Sequence, residues 1–256
     1  MKTIVASLLV AIATTAFGAE LSQKITTPSG IIVHLPSQWQ EIPTQVITAQ
    51  FEEVAKKNPN LPKQKYECGL QAQSQQWFSY PYVLVQIQRT GRIPEIALKK
   101  MPNLGEMLDE KMQETADASS SVADVAMGKT VYDPDGRILW TSTRVQYVGI
   151  GSVKMLAGIH LTADGFVQVF AYAREADFPR YETMFHRIIS RVEFPVSMRY
   201  VPRAIDKIPL VHAVDWSKAF SKGIAGAVVG GIAALIFGLT RRKKKDSQPE
   251  DSPDSE

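Results

Sequence analysis

Cysteine is nearly absent from this chain. Cys68 is the one thiol in 256 residues, so no internal disulfide can form, and the cysteine pairs common in secreted eukaryotic domains are excluded. An excess of one charge is also missing. Lysine and arginine number 29 against 26 acidic residues, a formal net charge of +3, which does not indicate nucleic acid as a partner. Histidine is scarce, and the four residues make no nucleophilic set. His34 and His160 fall on expected strands, His186 on an expected helix and His212 on a connector. A bacterial periplasm or a similar compartment accounts for an exported chain so poor in cysteine.

Cofactor and metal signatures are missing as well. Glu182 and His186 stand four apart on a helix, but two ligands are too few for a metal and an ordinary surface pair is the simpler reading. Met107 and Met112 lie on an apolar helix stripe, so with Met101 they read as core packing, not as soft-metal ligands. Ala123-x-x-x-x-Gly128-Lys129-Thr130 fits a relaxed phosphate-loop pattern, yet it lacks the glycine-rich turn that opens a helix. Gly149-Ile150-Gly151 lacks the third glycine of a dinucleotide fingerprint. No cofactor is implied. Cys68 shares the parity of Tyr66, Leu70 and Ala72 and reads as a buried apolar residue.

The two ends of the chain are informative. Residues 1–18 begin with Lys2, run through an apolar stretch from Ile4 to Ala13 and close on Ala16-Phe17-Gly18. About ten apolar residues are too few to span a bilayer, so this is expected to be a cleaved secretory signal. Near the other end, the apolar run Gly223–Thr240 is closed by Arg241-Arg242-Lys243-Lys244-Lys245, a stop-transfer pattern that places the C-terminus in the cytoplasm. The run covers about 27 Å as a helix, and Ala219 and Phe220 extend it. A single-pass transmembrane helix is therefore expected over 218–240, with an acidic, serine-containing cytoplasmic tail to 256. Gly226, Gly230, Ala234 and Gly238 recur every four positions. That spacing makes one small-residue face for self-association or for docking on another membrane protein.

Between the ends, residues 19–194 are long enough for one exported domain with a real core, and prolines at 195, 202 and 209 mark a connector over 195–217. Strands are expected over Gly30–Leu35, Lys65–Ala72 and Tyr80–Gln88. A helix is expected from Pro102 to about Ala118, lined by Leu104, Met107, Leu108, Met112 and Ala116. Asp133-Pro134-Asp135-Gly136 signals a hairpin between Lys129–Tyr132 and Ile138–Val148. Alternating Val153, Met155, Ala157, Ile159 and Leu161 form the next strand, which turns at Thr162-Ala163-Asp164-Gly165 into Phe166–Ala173. The last helix is capped by Asp177, carries Pro179 in its first turn and shows Phe178, Tyr181, Phe185, Ile188 and Val192 as a stripe. The fold class is α+β, an antiparallel sheet flanked by helices, with one C-terminal transmembrane helix.

Several of these features together resemble a known family. Leu35-Pro36-x-x-Trp39 follows a short strand. Asp164-Gly165 precedes a strand that contains Tyr172, and Tyr181-x-x-x-Phe185-x-x-Ile188-x-Ser190 leads into Val192-Glu193-Phe194. The pattern looks like the PsbP-like α/β/α sandwich of photosystem extrinsic subunits and of several bacterial exported proteins. The resemblance covers most of residues 25–195 and implies a binding or assembly module more than an enzyme. It carries no functional residue across.

Trp77, Phe78, Tyr80 and Tyr82 form the densest aromatic cluster and are the candidate contact patch. Two functions follow. One is a non-catalytic, membrane-anchored exported module that binds a protein partner or assists assembly of a membrane complex. The other is an envelope enzyme of hydrolase type, its site assembled from residues far apart in sequence.

Overall fold

The computed structural model describes residues 20–59, 63–96, 104–119, 121–149 and 151–203. The expected signal (1–18), His212, the expected membrane helix with Gly226, Gly230, Ala234 and Gly238, and the basic run after it lie outside the described residues. Among the described residues no helix is long and apolar enough to cross a membrane.

The chain is mixed α+β, and among the described residues every pairing of named strands is antiparallel. A short hairpin of β1 (Gln23–Thr26) and β2 (Ile32–Leu35) precedes the main sheet. That sheet comprises β3 (Trp39–Ile42), β4 (Cys68–Ala72), β5 (Tyr82–Gln88), β6 (Val122–Met127), β7 (Val131–Asp133), β8 (Ile138–Tyr147), β9 (Gly151–Thr162) and β10 (Gly165–Arg174). The order across it is β3-β4-β5-β10-β9-β8-β6, with β7 also paired to β8. Among the described residues, the helices with printed bounds are α1 (Thr44–Lys57), α2 (Leu104–Asp117) and α3 (Phe178–Ser190).

Alternation along the strands splits the core in two. Tyr82, Leu84, Phe166, Phe170 and Tyr172 join Met155, Ala157 and Ile159 on the face covered by Ile47, Phe51 and Val54 of α1 and Met112 and Ala116 of α2. Val83, Val85, Val167 and Val169 point the other way, onto Phe178, Phe185, Ile188 and Ile189 of α3 and Val33 and Leu35 of β2. Leu35 and Trp39, which carried part of the family resemblance, are core residues on this second face. Buried Cys68 lies there too.

Most expected elements are present with shifted ends. The tight turn after β9 pairs Thr162 with Gly165, and β7 and β8 close around the Asp-Pro-Asp-Gly turn, with Asp133 opposite Ile138. Residues 123–127, the start of the relaxed phosphate-loop pattern, lie in strand β6 along the same β8 edge. Helix α1 has no counterpart among the sequence expectations, although its buried Ile47, Gln50, Phe51 and Val54 keep helical spacing.

Two expectations need correction. Asp177 occupies the N-cap position of α3 but makes no side-chain cap bond. The 3-10 turn Glu175–Asp177 before it already sets Asp177 at φ −94 and ψ −14, not in the extended geometry from which an N-cap side chain reaches back. The domain also does not stop at Phe194. The next residues return to the sheet as a strap, with a 3-10 turn at Val196–Met198, Met198 in the core, and a bridge between Arg199 and Thr162.

Candidate functional site

The aromatic cluster expected at the surface is mostly interior. Phe78 and Tyr82 are buried, and Trp77 and Tyr80 are partly buried against the same core. The loop before β5 is pulled inward by buried Gln71, whose amide oxygen accepts from the Phe78 N–H at 2.7 Å while its nitrogen donates to the Gln76 carbonyl at 2.8 Å. Phe78 then meets Phe51 and Tyr82 edge-on, at ring separations of 6.0 and 5.7 Å, and Tyr82 stacks on Tyr172 at 4.8 Å. These contacts dock α1 on the sheet. As a four-residue contact surface the patch is corrected: a glutamine clamp, invisible to strand periodicity, turns half of it into core.

The His186 ring lies 4.6 Å from the Trp140 ring, and among the described residues no group of three or more potential ligands converges. Burial pushes the Cys68 thiol well up, and the nearby charges of Glu41 and Glu67 add to this, so it stays protonated and unreactive.

A cleft lies where the strap crosses the ends of β8 and β9, with a volume of about 350 Å³. Gly136 and Arg137 enter from the β7–β8 turn, His160 and Leu161 from β9, Val192, Glu193 and Phe194 from the exit of α3, and Arg199 and Tyr200 from the strap. Local bonds place each wall. The Ala163 N–H donates to the Met198 carbonyl at 3.0 Å. The Glu95 N–H donates to the Tyr200 hydroxyl at 2.8 Å, and Arg92 covers the Tyr200 ring at 4.3 Å while reaching the Val201 carbonyl. Arg199 Nε donates to the Phe194 carbonyl at 3.1 Å. On the far side, Glu193 and Ile32 exchange backbone hydrogen bonds, each 2.9 Å.

Charge in the cleft is unevenly neutralised. The Glu193 carboxylate is held by His34 at 2.5 Å and Lys24 at 3.8 Å, and the His34 hydrogen bond, then the Lys24 charge, keep its pKa below the usual carboxylate range. Arg137 faces Glu95 at 3.7 Å. Arg199 has no ion pair among the described residues.

His160 lies at the floor and is 6 % exposed. Its ring is 5.4 Å from that of Phe194 and bonds to the Ile189 carbonyl. Since Nε2 has no partner among the described residues, Nδ1 carries that bond and Nε2 is a bare acceptor. Burial is the main cause that lowers the His160 pKa to about 4, with the Ile189 bond acting in the opposite direction.

Arg137 is held at φ +52, a left-handed conformation that costs a side chain with a Cβ about 1–2 kcal/mol. Gly136, the adjacent residue that could adopt it freely, is not among the positive-φ positions. Sequence reasoning missed Arg137, Glu193, Arg199 and Tyr200. Only the first had a local signal, as a cation directly after a turn glycine; the others fell at or beyond an expected domain boundary.

No protein-family profile and no curated protein matches the chain. Among solved structures, the fold is similar to the solution structure of cyanobacterial PsbP (CyanoP) from Synechocystis sp. PCC 6803. The sequences are 9% identical over 68% of this chain and 92% of that one, with a TM-score of 0.41.

Proposed function

We propose that this chain is a non-catalytic exported module, tethered to a membrane by its C-terminal apolar segment, that binds a partner or ligand during assembly of a membrane complex. The observation that carries the reading is the composition of the cleft. Guanidinium groups, a neutral imidazole and the apolar side chains of Leu161, Val192 and Phe194 are binding groups, and among the described residues no serine, threonine or cysteine nucleophile lines it. Hydrolysis by way of His160 is poorly supported, because a base with a pKa of about 4 sits far from the near-neutral value that general-base catalysis favours. The stop-transfer pattern and the small-residue face of Gly226, Gly230, Ala234 and Gly238 support anchoring and helix contact.

The test is purification of tagged full-length protein in mild detergent, with sizing and mass spectrometry, beside a variant with leucine at Gly226 and Gly230. A defined partner or oligomer lost in the leucine variant is expected. A monomer without company in both preparations refutes the assembly role.

A further inference from the structure

Resting on the tethered-module reading, we infer that the strap is a membrane-docking surface. Val196 and Val201 enter the headgroup region of the bilayer that holds the C-terminal apolar segment.

Among the described residues four large apolar side chains are exposed, and the two most exposed lie on the strap: Val196 at 80 % and Val201 at 64 %. Neither sits on a loose end. Val196 opens the 3-10 turn Val196–Met198, whose last residue is in the core, and Arg199 is bridged to Thr162. Arg92 reaches the Val201 carbonyl at 2.6 Å and covers the Tyr200 ring. The backbone is thus pinned from the inside while both valines point outward, where apolar surface is unfavourable in water and is relieved in an apolar medium.

Three features select a bilayer over a protein partner. Two valines fall far short of the roughly 800 Å² that each partner contributes to a stable protein interface. Arg199 and half-buried Tyr200 stand between them in the chain, and an aromatic ring with a polar tip beside a guanidinium suits the headgroup layer. Of the acids around the strap, Asp164 is paired with Arg89, Glu95 with Arg137 and Glu193 with His34 and Lys24, whereas Arg199 has no ion pair among the described residues. Finally, the strap leads straight into the tether. Residues 204–217 separate it from the expected membrane helix and span at most about 50 Å. Tethering makes docking an intramolecular step at high effective concentration, so a small apolar contact suffices.

Docking by the strap also fixes which end of the domain faces away. Strand β9 runs from the strap to the β8–β9 turn, about 35 Å distant, where Val148 is 58 % exposed.

The experiment uses full-length protein reconstituted in phosphatidylcholine vesicles with and without a doxyl-labelled lipid. Val196→Cys, Val201→Cys and Val148→Cys are each labelled with bimane; Cys68 is buried in the native protein and stays unlabelled. Doxyl lipid is expected to quench the label at 196 and 201 and to leave the label at 148 unchanged. Adding Val201→Asp to Val196→Cys should abolish quenching at 196, and since both positions are exposed the fold is kept. No quenching at the strap in protein that resists carbonate extraction overturns the docking and leaves the tether standing. Equal quenching at all three positions also overturns it. Strap labels shielded from aqueous iodide without lipid quenching assign the surface to a second copy of the chain instead. Release of the protein by carbonate overturns the tethered reading itself, and the docking with it.

Discussion

Acidification should destabilise this domain through a single buried imidazole. His160 has a folded-state pKa of about 4 against an ordinary value of 6.5, so between those pH values the unfolded chain binds a proton that the folded chain refuses. Stability then falls as pH falls, because the state with more bound protons is favoured by acid. Linkage with these two values makes the His160 contribution about 2 kcal/mol less favourable at pH 5 than at pH 7, approaching about 3 kcal/mol below pH 4. Carboxylates such as Glu193, whose folded pKa is depressed, add their loss mainly below the usual carboxylate range. The clean measurement is therefore a difference. Urea unfolding of full-length wild type and His160→Gln, followed by far-UV circular dichroism at pH 7, 6 and 5, should show the gap between them shift by about 2 kcal/mol in favour of the variant as pH drops. A gap that stays constant across this range would falsify the assignment of His160 as a buried neutral imidazole.

Gly158 faces α3 so closely that an added Cβ would collide with Ile189 Cγ2; Gly158→Ala should cost about 1–3 kcal/mol, read as a lower urea midpoint with unchanged slope. Arg137→Gly should raise stability by about 0.5–1 kcal/mol, the left-handed strain of arginine exceeding the added chain entropy of glycine, and a loss of stability in the same assay argues against the strain. Cys68 should resist iodoacetamide at pH 8 until denaturant is added; rapid labelling of native protein contradicts its burial. Trp77→Ala should lower stability by about 1–3 kcal/mol through lost core contact and leave detergent-stable partners attached, whereas loss of a partner in a folded variant restores an exposed role for this residue.

Periodicity and turn chemistry made much of the fold readable from the chain. The β8–β9–β10 meander follows from alternating apolar residues between two turns, because side chains on a pleated strand face opposite ways and each half needs its own cover. Helix α3 follows from a stripe at helical spacing for the same reason. Helix α1 went unread because its apolar positions are interrupted by glutamine and threonine, and it becomes a helix chiefly by docking on Phe78, Tyr66 and Leu84. The candidate site was less legible still. Its walls come from residues 136, 160, 193 and 199, brought together only when the strap folds back over β9.

The sequence by itself determined the class: antiparallel strands with amphipathic helices and a single buried thiol. Those properties are local, set by side-chain period and by runs of like residues. Tertiary structure alone decided that the aromatic cluster becomes core, that the proline-marked connector begins as a packed strap, and that two arginines and a bare imidazole line one cleft. Each of these depends on contacts between segments distant in sequence. Their energy comes from burial and hydrogen bonds that no local window of residues contains.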